Sequence, residues 1–183
     1  MRSIHFTSAA ALLLAAASAQ AQLVSNGGFE TGDFSGWTVT GGAFTGIDAL
    51  SAQTGSFGAF FGEASPGSSI AQNLNTVTGG LYQVSFWLQL DDSAQPNSFS
   101  FSWNGVTQAL SFNNAAAFDY TRFTAVVSAA GPVTALRFNL TNPQSFWLLD
   151  NVVVTAVPEP QAWALGALGL LMIAVRKARA STR

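Results

Sequence analysis

The sequence predicts an all-β chain, a two-layer antiparallel β-sandwich, with a signal helix before it and a transmembrane helix after it. Three observations carry this expectation. Apolar and polar residues alternate in the middle of the chain, where Tyr82, Val84, Phe86, Leu88 and Leu90 interleave with Gln83, Ser85, Trp87 and Gln89. A period of two sends the two sets to opposite faces of a strand. Pro-Gly, Asn-Gly and Gly-Gly pairs recur at short intervals and mark turns. No window before Pro160 carries a helical stripe of apolar residues.

The chain starts with a thin polar region holding Arg2 and His5, an apolar stretch over 9–17, and the small-x-small site Ala19-Gln20-Ala21. That order predicts a secretory signal peptide over 1–21, cleaved after Ala21 by signal peptidase following Sec-type export. Residues 22–156 then form one domain by length, large enough to bury a core of its own. With no cysteine in the chain, that core has to hold by packing and not by disulfides.

Strands are expected over 37–40, 56–62, 69–74 and 81–90, and again over 98–103, where Phe99, Phe101 and Trp103 alternate with serines. Asn104-Gly105 supplies a hairpin signal directly after Trp103. Further strands fit 120–128, 134–141 and 146–155. Short strands separated by turns form two packed sheets, each with one buried and one wet face.

The last part of the chain reads as an address. Val157-Pro158-Glu159-Pro160 stops what precedes it, since proline fixes φ and restricts its predecessor. An unbroken apolar run of fourteen residues follows over 162–175, then Arg176-Lys177-Ala178-Arg179 and a terminal Arg183. As a helix the run spans about 21 Å, short of the roughly 30 Å of a bilayer core. It crosses only with local thinning or snorkelling of the basic side chains, and the cations predict a cytoplasmic end.

These three features in order resemble the PEP-CTERM sorting signal of bacterial surface proteins, a domain also labelled ice-binding protein C-terminal domain. The resemblance covers 157–183. It implies that an exosortase-like membrane enzyme reads Pro158, Glu159 and Pro160, with Arg176, Lys177 and Arg179 as the basic stop. The product then reaches the cell envelope or extracellular matrix. On the residues alone, an ordinary single-pass anchor on a proline-rich stalk is the alternative.

A second resemblance lies in the domain. Leu23-Val24-Ser25-Asn26-Gly27-Gly28-Phe29-Glu30, running through Gly32-Asp33-Phe34-Ser35-Gly36-Trp37, is similar to the opening of galactose-binding-like jelly rolls among carbohydrate-binding modules. Ser69-Ile70-Ala71-Gln72-Asn73-Leu74 and Gly80-Leu81-Tyr82-Gln83-Val84-Ser85-Phe86-Trp87 resemble their paired middle strands. Phe146-Trp147-Leu148-Leu149-Asp150-Asn151-Val152-Val153-Val154 resembles their closing strand, with Asn151 where a second aspartate is frequent. The resemblance implies a sandwich of jelly-roll type. It also implies a structural calcium held by Glu30 and Asp150, with a backbone carbonyl near Gly28.

Composition excludes more chemistry than it admits. Residues 22–156 hold eight acids against two bases, Arg122 and Arg137, a formal balance of −6. Such a domain, with no basic patch, is not built for nucleic acid or anionic membrane. Histidine occurs only at His5 and lysine only at Lys177. The domain therefore lacks the imidazole, thiol and amine that proton relays, Schiff bases and transition-metal sites use. A pair of carboxylates is the one route left to catalysis, and Asp91-Asp92, beside Ser93, Gln95, Pro96 and Asn97, read as turn residues. We therefore expect no enzyme.

Sugar binding has a mechanism here: pyranose C–H faces stack on aromatic rings while placed polar groups select hydroxyls. Trp87 is the leading candidate, because alternation sets it among Gln83, Ser85 and Gln89, opposite the apolar face. Trp37, Trp103, Trp147 and Arg122 follow, with Arg122 sharing a strand face with Tyr120 and Thr124. Against this stands the role of aromatics as sandwich core. Two other classes compete. One is a matrix or adhesive protein without a specific ligand. The other, ice binding, has only Thr38-Val39-Thr40 to offer.

Overall fold

A computed structural model describes residues 22–158 and position 169. The predicted signal peptide with Ala19 and Ala21, the helix over 162–175, and Glu159, Pro160, Arg176, Lys177 and Arg179 lie outside the described residues. Pro158 lies within them and is exposed. Among the described residues no helix is long and apolar enough to cross a membrane.

Among the described residues ten strands follow one another: β1 (Thr38–Thr40), β2 (Thr45–Asp48), β3 (Gly58–Phe61), β4 (Ser68–Asn75), β5 (Leu81–Leu90), β6 (Ser98–Trp103), β7 (Val106–Asn113), β8 (Phe118–Ser128), β9 (Val133–Thr141) and β10 (Trp147–Ala156). They form two five-stranded sheets, ordered β1-β4-β9-β6-β7 and β2-β3-β10-β5-β8. Every pair is antiparallel. The all-β sandwich expected from alternation is the fold observed.

Alternation also places the core. Tyr82, Val84, Phe86, Leu88 and Leu90 are all buried, and Phe86 meets the rings of Phe99, Phe101 and Phe138 across the layer at 5.1–5.7 Å between centroids. Tilted and edge-to-face contacts at this spacing suit the ring quadrupoles. Asn104 and Gly105 close the β6–β7 hairpin with φ of 52° and 79°, the two positive values a type I′ turn requires.

Two strands, β2 and β7, are not named by the sequence reading. β2 has four residues, too few for a pattern to stand out. In β7 the pairing with β6 shifts between Ser100 and Ser102, where Ser111 and Thr107 are the partners. Inserted residues break the alternation that would have revealed the strand.

The opening segment is a stapled loop leading into β1. Asn26 Nδ2 donates to Thr31 Oγ1 and to the carbonyls of Asp33 and Ser35. Phe29, at φ 56°, is wholly buried against Phe34 and Trp37. Gly27 lies so close to β10 that a Cβ there would come within 2.0 Å of the Val152 carbonyl. This contact fixes Gly28 and Glu30 beside β10.

Candidate functional site

The site is built on the outer face of the second sheet, starting from Trp87. Its position in β5 sets it opposite Asp150 of β10 on one side and Arg122 of β8 on the other. One residue is inserted in β10 between the Trp87–Asp150 and Ser85–Val153 pairs, and Asn151 there takes φ 51°. A bulge of this kind re-aims side chains locally. Asp150, Asn151 and Val153 thereby line the same face as Trp87.

The connection from β2 to β3 crosses this face. At its start Asp48 Oδ1 accepts the Ser51 amide at 2.8 Å. The Tyr120 hydroxyl, from the opposite edge strand, donates to the Ser51 carbonyl. Asp150 Oδ2 accepts the amides of Gln53 and Thr54 at 2.8 and 3.2 Å. Asn151 Nδ2 donates to Gln53 Oε1 and Thr54 Oγ1 at 3.2 and 2.8 Å. Glu30 accepts the amides of Ser56 and Phe57 at 3.0 and 3.3 Å. Gly55, at φ 79°, leaves room for that carboxylate, since a Cβ would sit 2.2 Å from Glu30 Oε1.

Between this connection and the strands lies a depression of about 360 Å³. Gln53 and Thr54 form its wall, and Trp87, Arg122 and Asn151 stand around its floor with Ser85 and Val153. Arg122 is exposed and donates to Ser85 Oγ at 3.2 Å, while Ser85 itself is buried. Burial, aided by the charge of Glu30, pushes the Asp150 carboxyl above the usual aspartate value despite its amide donors. Burial also pushes the Tyr120 hydroxyl up, and Asp150, Asp91 and Asp48 push it further. Tyr120 therefore stays a hydrogen-bond donor.

The other described tryptophans do not join Trp87. Trp37 is 8% exposed, donates its indole N–H to the Asn26 carbonyl at 3.1 Å and packs on Phe29 and Phe138. Trp103 is 3% exposed, donates to the Ser128 carbonyl at 2.9 Å and packs on Tyr82. Trp147 is fully buried among Phe99, Phe112 and Phe118. These three candidates are corrected to core: their faces meet protein rings and cannot meet a sugar. Their burial follows from shape, because two sheets about 10 Å apart need large side chains between them. Trp87 is half-buried, and among the described residues its indole N–H has no protein acceptor and its ring meets no other ring.

The expected calcium ligands do come together. An added Cβ on Gly28 would lie 3.7 Å from Glu30 Cγ and 3.9 Å from Asp150 Oδ1. Ca²⁺ takes six to eight oxygens, and here amide N–H groups already occupy the carboxylates. Asp150 Oδ2 accepts two, Asp150 Oδ1 accepts the Asn151 amide at 2.6 Å, and Glu30 accepts two more. No group of three or more acidic, histidine or cysteine side chains suited to a metal occurs among the described residues. This donor set acts as a loop brace, and a calcium ion would have to share Glu30 and Asp150 with these amide donors.

Residues that sequence reasoning missed are Gln53, Thr54, Ser85 and Asn151 as lining groups. Ser85 was legible from alternation, since it shares the outward face with Trp87. Gln53 and Thr54 carried no signal, because their place depends on bonds to residues almost a hundred positions away. A further depression of about 440 Å³ is lined by Gln22, Ser25, Gln72, Asn73 and Asn75 with Leu23 and Gly36, and by no ring. Asp91 and Asp92 are exposed and hold Gln89 and the Ala94 amide. Thr38-Val39-Thr40 is one three-residue edge strand.

No family model matches the chain, and no curated protein matches its sequence. Solved structures do share its fold. The module TmCBM61 in complex with β-1,4-galactotriose superposes with a TM-score of 0.58 at 15% identity, covering 75% of this chain and 99% of that one. The CBM22-1 xylan-binding domain of Paenibacillus barcinonensis Xyn10C gives 0.54 at 22% identity, covering 79% and 99%. The enzymatically active domain of bacteriophage CBA120 tailspike protein 4 gives 0.55 at 16% identity, covering 74% of this chain and 21% of that one. At these identities the likeness establishes the architecture, and the chain is an antiparallel sandwich with the jelly-roll fold of carbohydrate-binding modules.

Proposed function

We propose that this chain is an exported, non-catalytic β-sandwich that binds glycan at Trp87, in the cell envelope or the extracellular polysaccharide matrix. The observation that carries the reading is the state of Trp87: a half-buried ring beside a polar depression, without the ring contacts and indole hydrogen bond of its buried counterparts. A pyranose stacked there would meet Gln53, Thr54, Asn151 and Arg122 with its hydroxyls, the mix of apolar platform and few polar groups that sugar sites use. That solved structures of this fold include a galactotriose complex and a xylan-binding domain supports the ligand class. The absence of His, Cys and Lys from 22–156 supports the non-catalytic part.

Affinity electrophoresis of the full-length chain on galactan and xylan gels tests the site. Trp87→Ala should weaken retention at least tenfold while costing about 1 kcal/mol or less in stability, as for a side chain outside the core. Equal retention of wild type and variant would remove Trp87 from the site. Wild-type protein that no glycan retards would favour a matrix protein without a specific ligand. The small, polar outer face of the first sheet supports that second reading.

Routing belongs to the same proposal. A signal peptide over 1–21 directs export, and 22–156 is the displayed domain. Over 157–183, an exosortase-like enzyme reads Pro158, Glu159 and Pro160, with 162–175 as the membrane segment. Mass spectrometry of the protein from its native cell should place the mature N-terminus at Gln22 and the C-terminus near Pro158. A chain intact at both ends would overturn this routing.

A further inference from the structure

We infer that the Trp87 depression selects acidic sugars, with a uronate carboxylate seated on the Arg122 guanidinium while the ring stacks on Trp87. This rests on the glycan reading above and names its ligand class. Arg122 is one of two cations in 22–156, against eight acids, yet among the described residues no carboxylate claims it. Its one hydrogen bond among the described residues is to Ser85 Oγ. A guanidinium has five N–H donors in a rigid fork, so most of its hydrogen-bonding capacity is open to a ligand.

The nearby acids are committed elsewhere. Asp150 and Glu30 hold backbone amides of the wall, and Asp91 accepts from Gln89 Nε2 at 2.8 Å. Buried Ser85 steadies one arm of the fork, and the cross-strand register keeps Arg122 beside Trp87. A sugar hydroxyl would make one ordinary bond to this group, whereas a carboxylate makes two parallel, charge-assisted ones. Arg137 supplies an internal comparison. It too donates to a serine, Ser69 Oγ at 2.8 Å, but its cross-strand partners are Ala71 and Ser102. It has a cation without a stacking platform.

The test is calorimetric titration of the full-length chain at about 0.15 M salt, where charges beyond about 8 Å are screened. Three short probes separate charge from shape: trigalacturonate, its trimethyl ester and galactotriose. The expected result is binding of the acid about tenfold or more tighter than the ester, the scale of a hydrogen-bonded charge. Arg122→Gln should bring the acid down to the level of the ester. Arg122→Lys, which keeps the charge and loses the fork, should recover part of the difference. Arg137→Gln should change none of the three affinities. Equal binding of acid and ester by wild type, or an advantage that survives Arg122→Gln, overturns acid selection. It leaves the glycan reading standing if all three probes still depend on Trp87. Wild type that binds none of the three overturns the acid inference, and retention on galactan and xylan then decides the glycan reading separately.

Discussion

The two sheets share a core and differ on their outer faces. Outward positions of the first sheet are small and polar: Thr38, Thr40, Ser69, Asn73, Ser100, Ser102 and Asn139, with Arg137 among them. Outward positions of the second include Phe60, Leu148 and Trp87, and the connection from β2 to β3 is tied down across them. The same alternation generates both faces. What separates them is one bulky ring left unpaired and a loop that gives it a wall. A serine and asparagine surface offers hydrogen bonds and no ring, so it has no platform on which a sugar face can stack.

The comparison breaks most visibly if a buried and an outer tryptophan respond alike. Trp147 is fully buried, packs on three phenylalanines and donates to the Thr141 carbonyl at 3.2 Å. Trp147→Ala should cost about 3–5 kcal/mol, the range for large aromatic deletions in cores. In denaturant unfolding this should move the midpoint far more than Trp87→Ala does. Similar losses for both would mean that Trp87 is core as well, and the contrast between the faces would disappear.

The wall rests on a carboxylate with no cation beside it, and its pH response is the next effect in size. Burial and the Glu30 charge raise the Asp150 carboxyl above its ordinary value near 3.8, so the folded chain holds that proton more tightly than the unfolded chain. The sign follows from linkage. Stability from this group is fully present below the unfolded value and is lost as pH rises through the folded one. The stability of wild type relative to Asp150→Asn should therefore fall as pH rises above that ordinary value. A difference that rises with pH would show the amide donors overriding burial. The same preparation tests the calcium expectation. If the amides alone occupy these carboxylates, added Ca²⁺ should leave the melting temperature of wild type unchanged, and a rise absent from Asp150→Asn would make Glu30 and Asp150 its ligands.

How far the site could be read in advance depends on the range of the interactions that make it. Alternation over 81–90 is local, and it set Trp87 outward and Tyr82, Val84 and Phe86 inward correctly. The same logic put Trp103 in line with Phe99 and Phe101, so its burial was legible in the pattern that found its strand. Trp37 carried no such signal, because its loop is closed by Asn26 and Phe29 through bonds that no period announces. The wall was illegible for a stronger reason. Gln53 and Thr54 look like ordinary turn residues until Asp150, distant in sequence, supplies the acceptor for their amides.

Tyr120 carries the smallest effect and the sharpest test of the wall. Its hydroxyl reaches from β8 over the sheet to the carbonyl of Ser51, a residue 4% exposed. Phenylalanine keeps the ring and removes only that donor, so Tyr120→Phe should cost about 1 kcal/mol, the net value of one hydrogen bond. With the ring retained, the denaturant slope should stay unchanged, because the surface exposed on unfolding is the same. Burial and the surrounding carboxylates keep the hydroxyl protonated, so the loss should be equal at pH 5 and pH 8, unlike that of Asp150→Asn. If the loop is the wall of the binding site, the variant should also bind galactotriose several-fold more weakly. A variant that loses stability yet binds normally would place the loop outside the site and leave Trp87 and Arg122 to hold the sugar alone.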